Sequence, residues 1–229
     1  DRAEFAILEA TYLSVILKSF RLGILTTLIC LVCGYPLAYI ISKYSEKVRN
    51  FLILMVTIPM WINMLLRTYA WMNILSDNGL VNNLLKMLGI SPITMMYNRF
   101  FPLSWALFVN FMPFMIIPIH TSLSKMDKSL IEAANDLGAN PFQTFWRITW
   151  KLSMPGVVNG IMMVFLLSIS TFVIPKLLGG GQYMLIGNLI ESQFISVGDW
   201  NFGSAISLIL AVIILIFMSL MKKMDTQDD

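Results

Sequence analysis

The 229 residues are 57% hydrophobic and only 13% charged, against about 25% charged in a soluble domain. So little charge cannot cover a water-soluble particle of this size. The same apolar load, with 15 Phe, 17 Met and 6 Trp, excludes a disordered chain. A net charge of +3 without a dense basic run excludes a nucleic-acid arm. One membrane domain covering residues 1–229 is expected.

Charge-free windows give the spans in chain order. Residues 22–41 are uncharged, and 20 helical residues rise about 30 Å, one hydrocarbon core. Residues 51–66 are short for a span, but running past Arg67 to residue 75 makes 51–75 long enough. Residues 100–124, 152–175 and 200–221 complete a set of five spans, closed by Lys125, Lys176 and Lys222. Lipid offers no partner to an open strand edge, so these spans are predicted to be helical. Pro36, Pro59, Pro113 and Pro118 fall inside them and read first as kinks, tolerated where neighbours or a polar cavity satisfy the freed groups.

Orientation follows from Lys and Arg in the connections. Segments 42–50 and 125–151 and the C-terminal tail carry nine of them, against seven on the other side. Segment 177–199 has none, and holds Glu191 and Asp199. The first set and the C-terminus are therefore expected in the cytoplasm. That leaves the N-terminus outside, although residues 1–20 lack the basic start and cleavage site of a signal peptide. A further span upstream is the expectation that removes the conflict.

Catalytic chemistry is not encoded. The chain has no G-x-x-x-x-G-K-[ST], no H-E-x-x-H and no G-x-S-x-G. Gly179-Gly180-Gly181 reads as a flexible outer turn. His120 is the only histidine, which rules out a zinc site built on several of them. Cys30 and Cys33 lie mid-span, where desolvation opposes a thiolate, and read as small apolar fillers. No catalytic residue, metal or cofactor is expected.

The longest connection, 125–151, is the informative one. Ser129 with Glu132 three residues on matches a capping box, Gly138 offers a left-handed stop, and Pro141 suits the first turn of a second helix. That second helix carries Phe142, Phe145 and Trp146. The element is either an amphipathic surface helix on the bilayer or a docking surface for another protein.

Glu132-Ala133-Ala134, Gly138 and Ile148 resemble the E-A-A…G…I-x-L-P motif of ABC-importer permeases, departing from it at Trp150 and Lys151. A closer resemblance, to the spermidine/putrescine (PotB-type) permease family, covers nearly the whole chain. It is carried by Gly34-Tyr35-Pro36, Ile58-Pro59-Met60-Trp61-Ile62-Asn63, Arg67-Thr68-Tyr69-Ala70-Trp71, Phe111-Met112-Pro113 and Asp199-Trp200-Asn201-Phe202-Gly203. The resemblance implies an all-α polytopic bundle of the type I (MetI-like) permease fold, multi-pass in a bacterial inner membrane, with a sixth span before those found here. It implies that Glu132, Ala133, Ala134, Asp136, Gly138, Phe142 and Arg147 couple to a cytoplasmic ABC ATPase dimer. It also implies a second, PotC-like permease and an extracytoplasmic polyamine-binding protein as partners.

A polyamine needs carboxylates against its charge and aromatic faces for cation–π contact. Trp61, Asn63, Tyr69, Trp71, Glu191, Asp199 and Trp200 are the candidates for its path. Interfacial belt aromatics and solvated carboxylates are the plainer reading of the same residues. Arg67 would repel a polycation, and is either a snorkelling anchor or a partner for a carboxylate. Other cargo (thiamine, ferric iron, an aminophosphonate) stays open within the class, and a secondary transporter is the alternative outside it.

Overall fold

A computed structural model describes residues 2–91, 100–179 and 183–225. Every element among them is helical. In chain order they are α1 (Arg2–Lys43), α2 (Glu46–Trp61), α3 (Met64–Leu75), α4 (Leu80–Met87), α5 (Phe100–Lys125), α6 (Lys128–Asp136), α7 (Pro141–Thr144), α8 (Trp150–Ser170), α9 (Val173–Leu178), α10 (Ile186–Ser192) and α11 (Trp200–Asp225). A single π-helical turn, Phe145–Thr149, joins α7 to α8 without a break, and another, Gln193–Val197, extends α10.

Among the described residues four helical stretches are long and apolar enough to cross a bilayer: Thr11–Lys43, Phe100–Lys125, Pro141–Ser170 and Trp200–Lys223. The second sequence window differs from the straight span expected over 51–75. It is a bent pair, Glu46–Trp61 and Met64–Met87, turned by 92° between them. The break falls just after Pro59, whose missing N–H weakens the last turn of α2. Ile62 adopts an extended ψ of 135° and donates its N–H back to the Pro59 carbonyl at 3.3 Å. Asn63 then caps α3, its side-chain oxygen accepting the Leu65 N–H at 2.8 Å. The fourth window also ends early: α8 stops at Ser170, Thr171 turns extended, and Pro175 belongs to the short α9.

The core is built where α1, α5 and α8 meet. Cys30 and Ala38 of α1, Leu103, Leu107, Met115 and Ile119 of α5, and Val164 of α8 are fully enclosed there. Between apolar helices in lipid, contact depends on how closely the backbones approach, so small residues sit at the crossing. Gly156 and Gly160 on α8 meet α5 this way. A Cβ on Gly156 would stand 2.5 Å from the Pro118 carbonyl oxygen, and one on Gly160 would stand 2.8 Å from the Met115 sulfur. α11 packs more loosely along the side, through Phe217 on Phe165 (ring centroids 4.2 Å) and Phe202 on Tyr12 (5.4 Å). Leu208, Val212 and Leu215 on its other face are exposed.

Contacts fix the two ends of the bundle. Tyr35 and Tyr39, near the end of α1, lie against Phe145, which places connections 42–50 and 125–151 at one end. At the other, Ser19 of α1 accepts the Ile186 N–H at 2.8 Å, bringing the start of α10 there.

Candidate coupling and translocation sites

The 125–151 connection folds as a helix, a glycine and a second helix. Its first cap is Asp127, not the expected Ser129: an Asp127 carboxylate oxygen accepts the Ser129 N–H at 2.9 Å, which starts α6 at Lys128. That hydrogen bond holds the Asp127 carboxyl below its ordinary range. Gly138 ends the turn at φ +80°, a left-handed conformation that costs other residues about 1–2 kcal/mol. The capping box lies at the second helix. Asn140 Oδ1 accepts the Gln143 N–H at 2.8 Å, Gln143 Oε1 accepts the Asn140 N–H at 3.1 Å, and Pro141 occupies the first turn.

The exposure of this element decides its character. Leu137 is 89% exposed and Phe142 72% exposed, with Trp146 about half exposed beside them. Glu132, Ala133, Asp136, Gly138 and Arg147 are exposed too, while Ala134 is buried beneath. Arg147 helps to line an open hollow of about 360 Å³ with Leu137, Gly138 and Gln143. An apolar tip ringed by charges, at the turn between two helices, is the anatomy of an anchor for a partner's groove. Leu137 was missed from sequence because a single Leu before a glycine carries no motif; it follows exposed Ala133 by four residues and so shares its outward face.

Behind the tip, aromatic rings tie the element to the bundle. Phe145 packs on Tyr35 (5.9 Å) and Tyr39 (5.5 Å), and Trp150 packs on Tyr35 (5.0 Å) and Trp146 (5.6 Å). The Tyr35 hydroxyl and Ser153 Oγ share a hydrogen bond of 2.9 Å. Trp150 and Lys151 stand where the motif has Leu-Pro, and residues 141–170 run on as one rod through the π turn and past Pro155.

The path candidates are more dispersed. Trp61 is 87% exposed at the elbow, Asn63 is spent on capping α3, and Tyr69 is exposed. Trp71 packs edge-on against Trp105 of α5 (5.6 Å). Glu191 is not merely solvated: its side chain is 14% exposed and its carboxylate accepts from Lys176 Nζ of α9 at 2.5 Å. Asp199 caps α11 by accepting the Phe202 N–H at 3.0 Å, and Trp200 packs on Phe194 (5.4 Å). No hydrogen bond, ion pair or ring contact among the described residues joins the α2–α3 set to the α10–α11 set. Among the described residues Arg67 meets no carboxylate: its Nη1 donates to the Pro59 carbonyl at 2.6 Å across the elbow. Lys176 was missed because fifteen residues separate it from Glu191, and only the fold of α9 onto α10 pairs them. Gly180 and Gly181 lie outside the described residues, as does most of the expected outer turn.

A bundle of long apolar helices with an exposed apolar tip beside them is the architecture of a polytopic membrane protein. The chain belongs to the family of binding-protein-dependent transport system inner membrane components, whose model matches residues 31–226. It is therefore a multi-pass inner-membrane permease component. It is 39% identical to the spermidine/putrescine transport system permease protein PotB of Escherichia coli (strain K12), over 90% of this chain and 76% of that protein. The PotB of Haemophilus influenzae is also 39% identical, over 90% of this chain and 73% of its own length. In fold it is similar to a chain of a bacterial alginate ABC transporter crystallised with an alginate-bound periplasmic protein: TM-score 0.76, 18% identity, covering 94% of this chain and 78% of that one. An amino acid ABC transporter chain matches it with TM-score 0.63 and 15% identity, over 99% and 98% of the two chains.

Proposed function

We propose that the chain is the permease subunit of an ATP-driven importer of spermidine or putrescine. It would pair with a second, PotC-like permease above a cytoplasmic ABC ATPase dimer, and receive its cargo from an extracytoplasmic polyamine-binding protein. The observation that carries the coupling half of this reading is the exposed apolar pair Leu137 and Phe142 on either side of the Gly138 turn. Similarity to the PotB permeases supports the cargo. With the loop facing the ATPase, segments 42–50 and 125–151 and the C-terminus are cytoplasmic, as the basic residues favour.

Glu132, Ala133, Ala134, Asp136, Gly138, Phe142 and Arg147 form the docking element. Movement of the ATPase enters at its tip. It passes along the unbroken 141–170 rod and, through the Tyr35–Phe145–Trp150 rings, into α1, so that rigid rocking of helices alternates access.

At the opposite end Glu191 is the first carboxylate for a polyamine, whose ammonium groups compete with Lys176 for it. Asp199, Trp200, Trp61, Asn63, Tyr69 and Trp71 complete the path, the aromatic faces contributing about 0.5–2 kcal/mol each where they meet a cation.

The test is uptake of radiolabelled spermidine by vesicles holding the full complex, competed with putrescine, thiamine, ferric iron and an aminophosphonate. Competition by putrescine alone is expected, and absence of spermidine uptake ends the polyamine reading. Phe142→Asp should abolish uptake and copurification of the ATPase while the chain stays in the membrane. Wild-type copurification in that variant would remove the docking role.

A further inference from the structure

Two cavities between α1 and the start of α5 share Phe100 and run on from one another. The one nearer the water holds about 360 Å³ and is lined by Lys18 and Arg21, with Phe100 and Tyr183 facing them. Their spacing of three places both cations on the same side of α1. Among the described residues neither makes a hydrogen bond or ion pair. The hydroxyl of buried Ser19 holds the Ile186 N–H at 2.8 Å, which fixes the far wall next to Leu185. Arg21 is also the last charge before the uncharged run of α1, so the cations stand where the hydrocarbon begins.

The second cavity, about 430 Å³, is an apolar groove. Leu25, Ile29 and Cys33 line it from α1, and Phe101, Trp105 and Phe108 from α5. Arg21, Leu25, Ile29 and Cys33 recur every fourth residue, and twelve residues of helix rise about 18 Å. One leaflet of an about 30 Å core has a similar depth of about 15 Å.

We propose that this cleft binds one anionic phospholipid, its phosphate between Lys18 and Arg21 and one acyl chain along the α1–α5 groove. The pair of cations, with no counter-charge among the described residues, selects a headgroup with net negative charge, because a zwitterionic lipid would bring a third cation into the same hollow. The apolar continuation selects a lipid over a free phosphate. Its position at the bilayer boundary selects a lipid over an acidic peptide.

Trp105 in the groove supplies the readout. The full-length chain, in the complex with which it copurifies, is placed in phosphatidylcholine nanodiscs containing a small fraction of brominated phosphatidylglycerol or brominated phosphatidylcholine. Subtracting the Trp105→Phe signal isolates Trp105. Quenching by brominated phosphatidylglycerol should half-saturate at a mole fraction about 25-fold lower than for phosphatidylcholine, from about five-fold per cation. The Lys18→Gln and Arg21→Gln double variant should erase that difference. Cys33→Phe, which fills the groove and keeps both cations, should reduce quenching by both lipids. Leu208→Phe, on the exposed face of α11, should change neither. Equal quenching by the two lipids in the wild type overturns the site. So does a preference that survives the double variant, full quenching by both lipids after Cys33→Phe, or a preference lost in Leu208→Phe. If a protein segment fills the cleft, Trp105 is shielded from both lipids, and that outcome overturns it as well.

Discussion

At Asp127 one carboxylate oxygen decides where the loop helix begins. Its folded pKa lies below the ordinary value because the charged form accepts the Ser129 N–H. A depressed carboxylate contributes fully above its unfolded pKa of about 3.9 and loses that contribution as pH falls through the folded value. Protection of the Ser129 amide, relative to its intrinsic exchange rate at each pH, should therefore fall only as the pH drops below the ordinary carboxylate range. Asp127→Asn should keep the amide protected with no such pH dependence, and Asp127→Ala should expose it at every pH. Residues of this kind were only half legible in the sequence. Ser129 and Asp127 are both good caps, and the choice between them depends on α5 ending at Lys125, a boundary that local pattern does not mark. Gly138 was readable because a left-handed stop has few other candidates. Lys176, paired with Glu191 from another element, was not readable.

Among elements, the crossing of α5 and α8 is the tightest. Gly156→Val would drive methyl groups into the Pro118 carbonyl and Ser122, both within 2.8 Å of the first added carbon. Overpacking of this kind costs about 1–3 kcal/mol, and the thermal midpoint of the detergent-solubilised complex should fall accordingly. A midpoint unchanged from wild type would show that the helices separate freely. Uncharged windows located the long helices well, since an apolar run has one stable form in lipid. They failed at the second window, where composition is continuous through Ile62 and Asn63. The 92° turn arises from Pro59, the Asn63 cap and Arg67 acting together across the corner. Four prolines offered kinks, and the sequence does not single out Pro59 among them, because the carbonyl it leaves for Arg67 is defined only once α3 has folded back.

Across the whole molecule, the exposed tip of the 125–151 connection and the adjoining ends of α1 and α8 form one linked body. The aromatic cluster is the joint: Phe145 touches Tyr35, Tyr39 and Trp146. Phe145→Ala leaves the exposed tip in place but opens a gap behind it. ATP hydrolysis by the assembled complex should persist while spermidine uptake per ATP falls several-fold, measured on the same vesicles. Equal losses of both activities would show that the cluster only supports folding. At this scale the class of protein was legible, because low charge, missing catalytic motifs and one loop motif agree. The arrangement of the path was not, since its candidates lie on separate helices whose juxtaposition depends on breaks at Asn63 and Thr171.

The corner after α2 carries a cost that the described residues leave unmet. Sixteen residues of α2 rise only about 24 Å, so the chain turns aside before crossing the full hydrocarbon layer. Backbone that leaves the helix at that depth is tolerated only under protein cover or beside water, and Trp61, Ile62 and Asn63 are all exposed. A neighbouring helix laid over that corner would keep its polar backbone out of the lipid, so the bend itself calls for a companion.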